Sequence, residues 1–249
     1  MTSLLSAEGL SKSYGGVHAV KDVSFFVQPG EIVAMIGPNG AGKTTCFKIL
    51  SGQIEPDSGH VFIAGKETTG MRPEKVYRLG AGRTFQITET FASMTVRENI
   101  QTALLSRHGE LMNIYGFAPG AHRNEAERIL GFAGIADKAD EPSAELAYGD
   151  LKRLELAIAL AGEPRLLLMD EPTAGMAPAE RIGLMRLVAQ LARDRSLGIL
   201  FTEHDMDIVF EHADRILVLD RGALIASGLP EEVRRDEHVR SIYLGSAAR

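Results

Sequence analysis

The stretch GPNGAGKTT, residues 37–45, follows directly on the apolar run of residues 32–36 and opens an apparent helix. Strand, glycine turn, helix is the context of a phosphate-binding loop. Gly37, Gly40 and Gly42 let the backbone curl tightly enough for successive N–H groups to face phosphate oxygens, and the helix N-terminus adds positive potential. The stretch from Asn39 through Gly40, Ala41 and Gly42 to Thr45 is therefore expected to cradle a nucleoside triphosphate. Lys43 is the expected point charge at the β- and γ-phosphates, and the Thr44 hydroxyl the expected Mg2+ ligand.

A second signal is LLLMDEP, residues 166–172, an apolar run closed by two acids. It reads as a buried parallel strand that delivers carboxylates at its C-terminal edge, beside the phosphate loop. Neighbouring strand residues point to opposite sides, so the two acids divide the work. Asp170 is assigned to the Mg2+ shell and Glu171 to polarising the attacking water.

With these motifs in place, the chain resembles the ATP-binding subunits of ABC transporters over nearly its whole length. Tyr14 stands where that family places an aromatic that stacks on adenine, and Gln86, in RTFQ, matches the glutamine that senses Mg2+ and the γ-phosphate. His204, in FTEHD, matches the switch histidine that contacts the γ-phosphate. The resemblance implies a P-loop NTPase of the ABC type: a RecA-like mixed or parallel sheet, an antiparallel β subdomain and an inserted α-helical subdomain. One nucleotide-binding unit spans residues 1–249, with core and β subdomain over about 1–86 and 162–249 and the helical subdomain over about 87–161. It further implies ATP and Mg2+ as cofactors, membrane permeases and a second ABC ATPase as partners, and an external binding protein met indirectly.

Composition agrees with that reading. At 249 residues and 45% apolar, the chain is long enough for a sizeable core. A net charge of −6 lacks the basic field that neutralises nucleic-acid backbones, so no nucleic-acid partner is expected. No apolar stretch approaches the roughly twenty residues that span a bilayer, and MTSLLSAEGL lacks the basic start and apolar core of a signal peptide. The expected location is the cytoplasmic face of the membrane. Alternation over residues 20–27 and 59–63 predicts antiparallel strands, and residues 107–122 read as a loop. Residues 178–193 read as an amphipathic helix, 199–202 as a strand, and 216–219 with 224–226 as a hairpin. Cys46 falls on the first turn of the phosphate-loop helix, as either a packing residue or a redox-sensitive one.

The family's signature, usually Leu-Ser-Gly-Gly-Gln, completes the ATP site of a partner subunit in a head-to-tail pair. Here it reads Leu146, Ala147, Tyr148, Gly149, Asp150. Ala147 lacks the serine hydroxyl, and Asp150 places a negative charge at the glutamine position. Ala177 likewise stands where Asn or Asp is usual. Both alanines fall on what this chain offers its partner: either the two ATP sites of a heterodimer are asymmetric, or the backbone N–H groups around Gly149 suffice and the alanines are tolerated. Within the family, RTFQ ahead of FASMTVREN, EHDM around His204 and the terminal IYLG resemble the larger ATPase of branched-chain amino acid importers. The ATPases of urea or amide uptake and of lipopolysaccharide export are the alternatives, and a soluble ABC ATPase that remodels a complex is the alternative from another class. Glu89 and Phe91 are candidate contacts to the permease.

Overall fold

All five residues of the strand β3 (Ile32–Ile36) are buried, a pattern found only where a strand is covered on both faces. In the computed structural model, which describes residues 3–84, 90–110 and 120–244, Ile32, Ala34 and Ile36 face one apolar core and Val33 and Met35 another. The first core lies under helices and the second is shared with an antiparallel sheet.

That second sheet is made by β1 (Leu5–Tyr14), β2 (Val17–Val27), β4 (Ser58–Ile63) and the short β5 (Lys66–Glu67), in the order β2-β1-β4-β5. Every pairing in it is antiparallel. The helix α1 (Lys43–Leu50) buries Cys46, Phe47 and Leu50 in the core shared between the sheets.

The six-stranded sheet follows the order β10-β9-β3-β8-β7-β6. It contains β6 (Ala81–Thr84), β7 (Leu166–Asp170), β8 (Gly198–Thr202), β9 (Arg215–Asp220) and β10 (Ala223–Gly228) around β3. All neighbours are parallel except β9 and β10, a hairpin whose turn residues Arg221 and Gly222 both have positive φ, 44° and 85°. Since β3 and β7 both run parallel to β8, which lies between them, the phosphate loop after β3 and the acids after β7 emerge at the same edge of the sheet.

Between β6 and β7 the chain builds helices. These are α3 (Val96–His108), α4 (Arg123–Ala133) and α5 (Tyr148–Ala161), while α2 (Pro73–Arg78) precedes β6. Thr95 caps α3 by accepting from the Glu98 N–H while Glu98 returns a bond to the Thr95 N–H, a reciprocal capping box. Arg107 and His108 form the last turn of α3, so the loop expected from residue 107 starts later. Beyond β7 come α6 (Pro178–Arg195), α7 (Met206–His212), α8 (Pro230–Arg235) and α9 (Glu237–Leu244). Among the described residues no helix is long and apolar enough to cross a membrane.

Candidate functional site

Tyr14, Ala19, residues 39–45, Glu171 and His204 line a single cavity of roughly 270 Å3. Residues from β1, β2, the phosphate loop, the end of β7 and the end of β8 converge there. Tyr14 is half exposed at the end of β1, open to stack on a planar ring.

The loop itself is shaped by its glycines. A side chain at Gly42, where φ is 104°, would put Cβ 2.3 Å from the carbonyl of Ala19, and one at Gly37 would come equally close to that of Leu219. The loop is thus wedged between β2 and β9, with the first amides of α1 lacking any partner in their own helix. Lys43 is folded back onto this loop, donating to the carbonyl of Gly37 at 2.5 Å and of Pro38 at 3.2 Å. Burial pushes its pKa down, and Glu171 and Asp170 oppose that shift.

The acids separate more sharply than alternation along a strand suggests. Asp170 ends β7, buried, with Oδ1 accepting from the Thr202 hydroxyl at 2.7 Å and Oδ2 lying 3.7 Å from Arg83. Glu171 has left the strand in a left-handed conformation, φ 50°. Its N–H donates to both the carbonyl and the hydroxyl of Thr202, at 3.2 and 3.0 Å, which stabilises a backbone geometry that β7 alone does not favour. Its carboxylate lies 2.9 Å from Nε2 of His204. Sequence reasoning found Asp170, Glu171 and His204 but missed Thr202 and Glu203, whose signal was polar residues directly after the apolar run of β8.

The donor set suits a nucleotide with a hard divalent cation. The Thr44 hydroxyl and the Asp170 carboxylate are oxygen ligands of the class that Mg2+ takes, and the glycine-shaped cradle leaves backbone amides for phosphate.

Residues 147–150 stand apart from this cavity, at the N-terminus of α5. Ala147 is the N-cap and supplies no side-chain acceptor. Tyr148 is 45% exposed and closely approaches Gly175, while Cβ of any residue in place of Gly149 would meet the Glu180 carboxylate at 2.8 Å. Asp150 does not present a bare charge, because Lys138 donates to it at 2.6 Å and has its own pKa raised by that bond. Ala177 is the N-cap of α6, its N–H bonded to Glu180 at 3.1 Å. Cys46 is fully buried and its thiol is pushed up to about 12, so it is a packing residue rather than a reactive thiol. Gln86 and Glu89 lie outside the described residues. Phe91 is 55% exposed on a groove of roughly 410 Å3 between the large sheet and the helices, which Tyr77, Arg83 and Ile158 also line.

A glycine cradle, an Asp-Glu pair at a strand end and a histidine just beyond the adjacent strand, with a helical insertion carrying its own exposed helix start, define an ATP-binding cassette. The chain belongs to the ABC transporter family, whose sequence pattern matches residues 20–174. Residues 223–249 also match the family of branched-chain amino acid ATP-binding cassette transporters. The high-affinity branched-chain amino acid transport ATP-binding protein LivG of Escherichia coli K12 is 38% identical over 254 residues, covering 98% of each chain. The lipopolysaccharide export system ATP-binding protein LptB of Haemophilus influenzae is 35% identical over 243 residues, again with 98% of each covered. Among solved structures, the ADP conformation of the ATP-binding cassette MJ1267 superposes with a TM-score of 0.87 at 30% identity, covering 98% of this chain and 100% of that one.

Proposed function

We propose that this chain binds and hydrolyses MgATP to power a membrane importer of branched-chain or other hydrophobic amino acids. The convergence of Tyr14, the phosphate loop, Glu171 and His204 on one cavity carries the ATPase part. The match of residues 223–249 to branched-chain cassettes, beyond the general family match, favours the substrate class.

In this reading Tyr14 stacks on the base and the amides from Asn39 to Thr45 hold the phosphates. Lys43 turns from the loop carbonyls to the β- and γ-phosphates when those stronger acceptors arrive. Thr44 and Asp170 hold Mg2+, with Gln86 as a further contact; when bound, the ion neutralises charge on the phosphate oxygens. Glu171 accepts the proton of the attacking water, and His204 orients it and contacts the γ-phosphate. The residues from Ala147 to Asp150 face the ATP of a second cassette, and residues 87–161 act as the unit that carries them. The groove beside Phe91 receives a permease helix at the cytoplasmic membrane face, and an external binding protein delivers the substrate.

Affinity purification of the tagged chain from detergent-solubilised membranes tests this. Two dissimilar permeases with a second ATPase are expected, together with ATP-dependent uptake of labelled leucine. Export permeases of the lipopolysaccharide type, or soluble partners alone, would overturn the import reading and leave the ATPase chemistry standing.

A further inference from the structure

Glu203 carries a carboxylate that the reading above does not use. It is 5% exposed, and it sits between the last residue of β8 and His204. One of its oxygens, Oε1, accepts from both the N–H and the hydroxyl of Thr173, at 2.9 and 2.6 Å. The other, Oε2, accepts from the N–H of His204 at 3.1 Å. All three donors belong to the two loops that carry Glu171 and His204.

We infer that Glu203 is a positioning residue for hydrolysis: one rigid carboxylate ties the loop after Glu171 to the backbone of His204 and so sets the 2.9 Å approach of those two side chains. The inference rests on the reading of this cavity as the hydrolytic site.

The chemistry of the group explains why a carboxylate stands there. An ionised carboxylate has acceptors on both arms and no donor. An amide of the same shape would have to aim its NH2 at the His204 N–H or at the two Thr173 donors, setting donor against donor. A second link crosses nearby, where Arg181 donates to the carbonyl of Met176 at 2.8 Å and to Asp205 at 3.0 Å. Arg181 and Asp205 are partly exposed, whereas the Glu203 link is buried. Buried hydrogen bonds are the ones that hold a geometry against solvent competition.

The test is a double-mutant cycle in the assembled transporter, measuring steady-state phosphate release together with titration of a fluorescent ATP analogue. Glu203→Gln should lower kcat about ten- to hundredfold, the scale of a misplacement near 1 Å, while analogue affinity stays within about threefold. Thr173→Val, which removes only the hydroxyl bond to Oε1, should give a smaller loss of the same kind. In the His204→Ala background, Glu203→Gln should cost little further, because the side chain it positions has gone.

Equal, additive losses in both backgrounds, or a fall in analogue affinity that matches the fall in turnover, would assign Glu203 a general structural role and overturn the inference. Unaltered turnover in Glu203→Gln would overturn it as well. If instead the wild type fails to release phosphate, or His204→Ala is silent, the underlying reading of the site fails, and that result is distinct from failure of the Glu203 inference.

Discussion

Nε2 of His204 lies 2.9 Å from Oε1 of Glu171, although the two residues leave the sheet on different strands. The contact places a histidine against the carboxylate expected to take a proton from water, so a change in one side chain should disturb the other. Each member can set the orientation of the other.

Glu171→Gln keeps the side-chain shape and removes the base. Turnover should fall by about 10²–10⁴, the range for loss of a positioned general base, while nucleotide affinity changes by less than a few-fold. Phosphate release and analogue titration on the same preparation give both numbers. Turnover within threefold of wild type would mean that a different group takes the proton.

The phosphate loop makes a graded prediction from two glycines. Gly40 has φ 80° but open space around a would-be Cβ, whereas Gly42 has φ 104° and a Cβ clash at 2.3 Å with the Ala19 carbonyl. Gly40→Ala should therefore cost only the left-handed penalty, about 1–2 kcal/mol. Gly42→Ala must also push α1 away from β2, and should show the larger fall in Tm and lose ATP binding. Thermal melts with and without nucleotide order the two, and the reverse order would contradict the geometry.

Cys46 gives a pH prediction. Its thiol ionises near 12 in the folded chain against an ordinary value of 9.0. A raised folded-state pKa contributes stability that is complete below the unfolded pKa and is lost as pH rises from about 9 toward 12. Between pH 8 and 10 the wild type should therefore lose about 1.4 kcal/mol that Cys46→Ala does not lose. Urea unfolding at the two pH values reads the difference, and parallel losses would mean that the thiol ionises in the native state.

Much of this was legible in the sequence for a physical reason: glycine turns and apolar strands act locally. The run 32–36, the loop 37–45 and the acids after residue 169 each announce their structure through their own side chains. The hairpin at residues 215–228 and the strand ending at Thr202 were readable in the same way. What escaped depends on contacts across the sheet. The left-handed turn at Glu171 requires Thr202, 31 positions away, and the neutralised charge of Asp150 requires Lys138 on a different turn of chain. Neither partner is identified by a pattern within its own segment.

Ala147 supports the last prediction, because its two possible effects separate. It is the N-cap of α5 with extended backbone (φ −59°, ψ 151°) and no side-chain acceptor. Ala147→Ser should cap α5 and stabilise the isolated, nucleotide-free chain by about 1 kcal/mol, visible as a rise in Tm. In the assembled pair the same hydroxyl should face the partner's γ-phosphate, and a hydrogen bond to a charged group, about 1.5–3 kcal/mol, should tighten ATP-driven closure by roughly tenfold or more. The proposed asymmetry adds a direction. Removing the phosphate-loop lysine of the partner should cost less turnover than removing Lys43, since the partner's site is the one completed by Ala147. Equal losses from the two lysine variants would show that the backbone amides around Gly149 suffice, and that the alanine leaves the two sites equivalent.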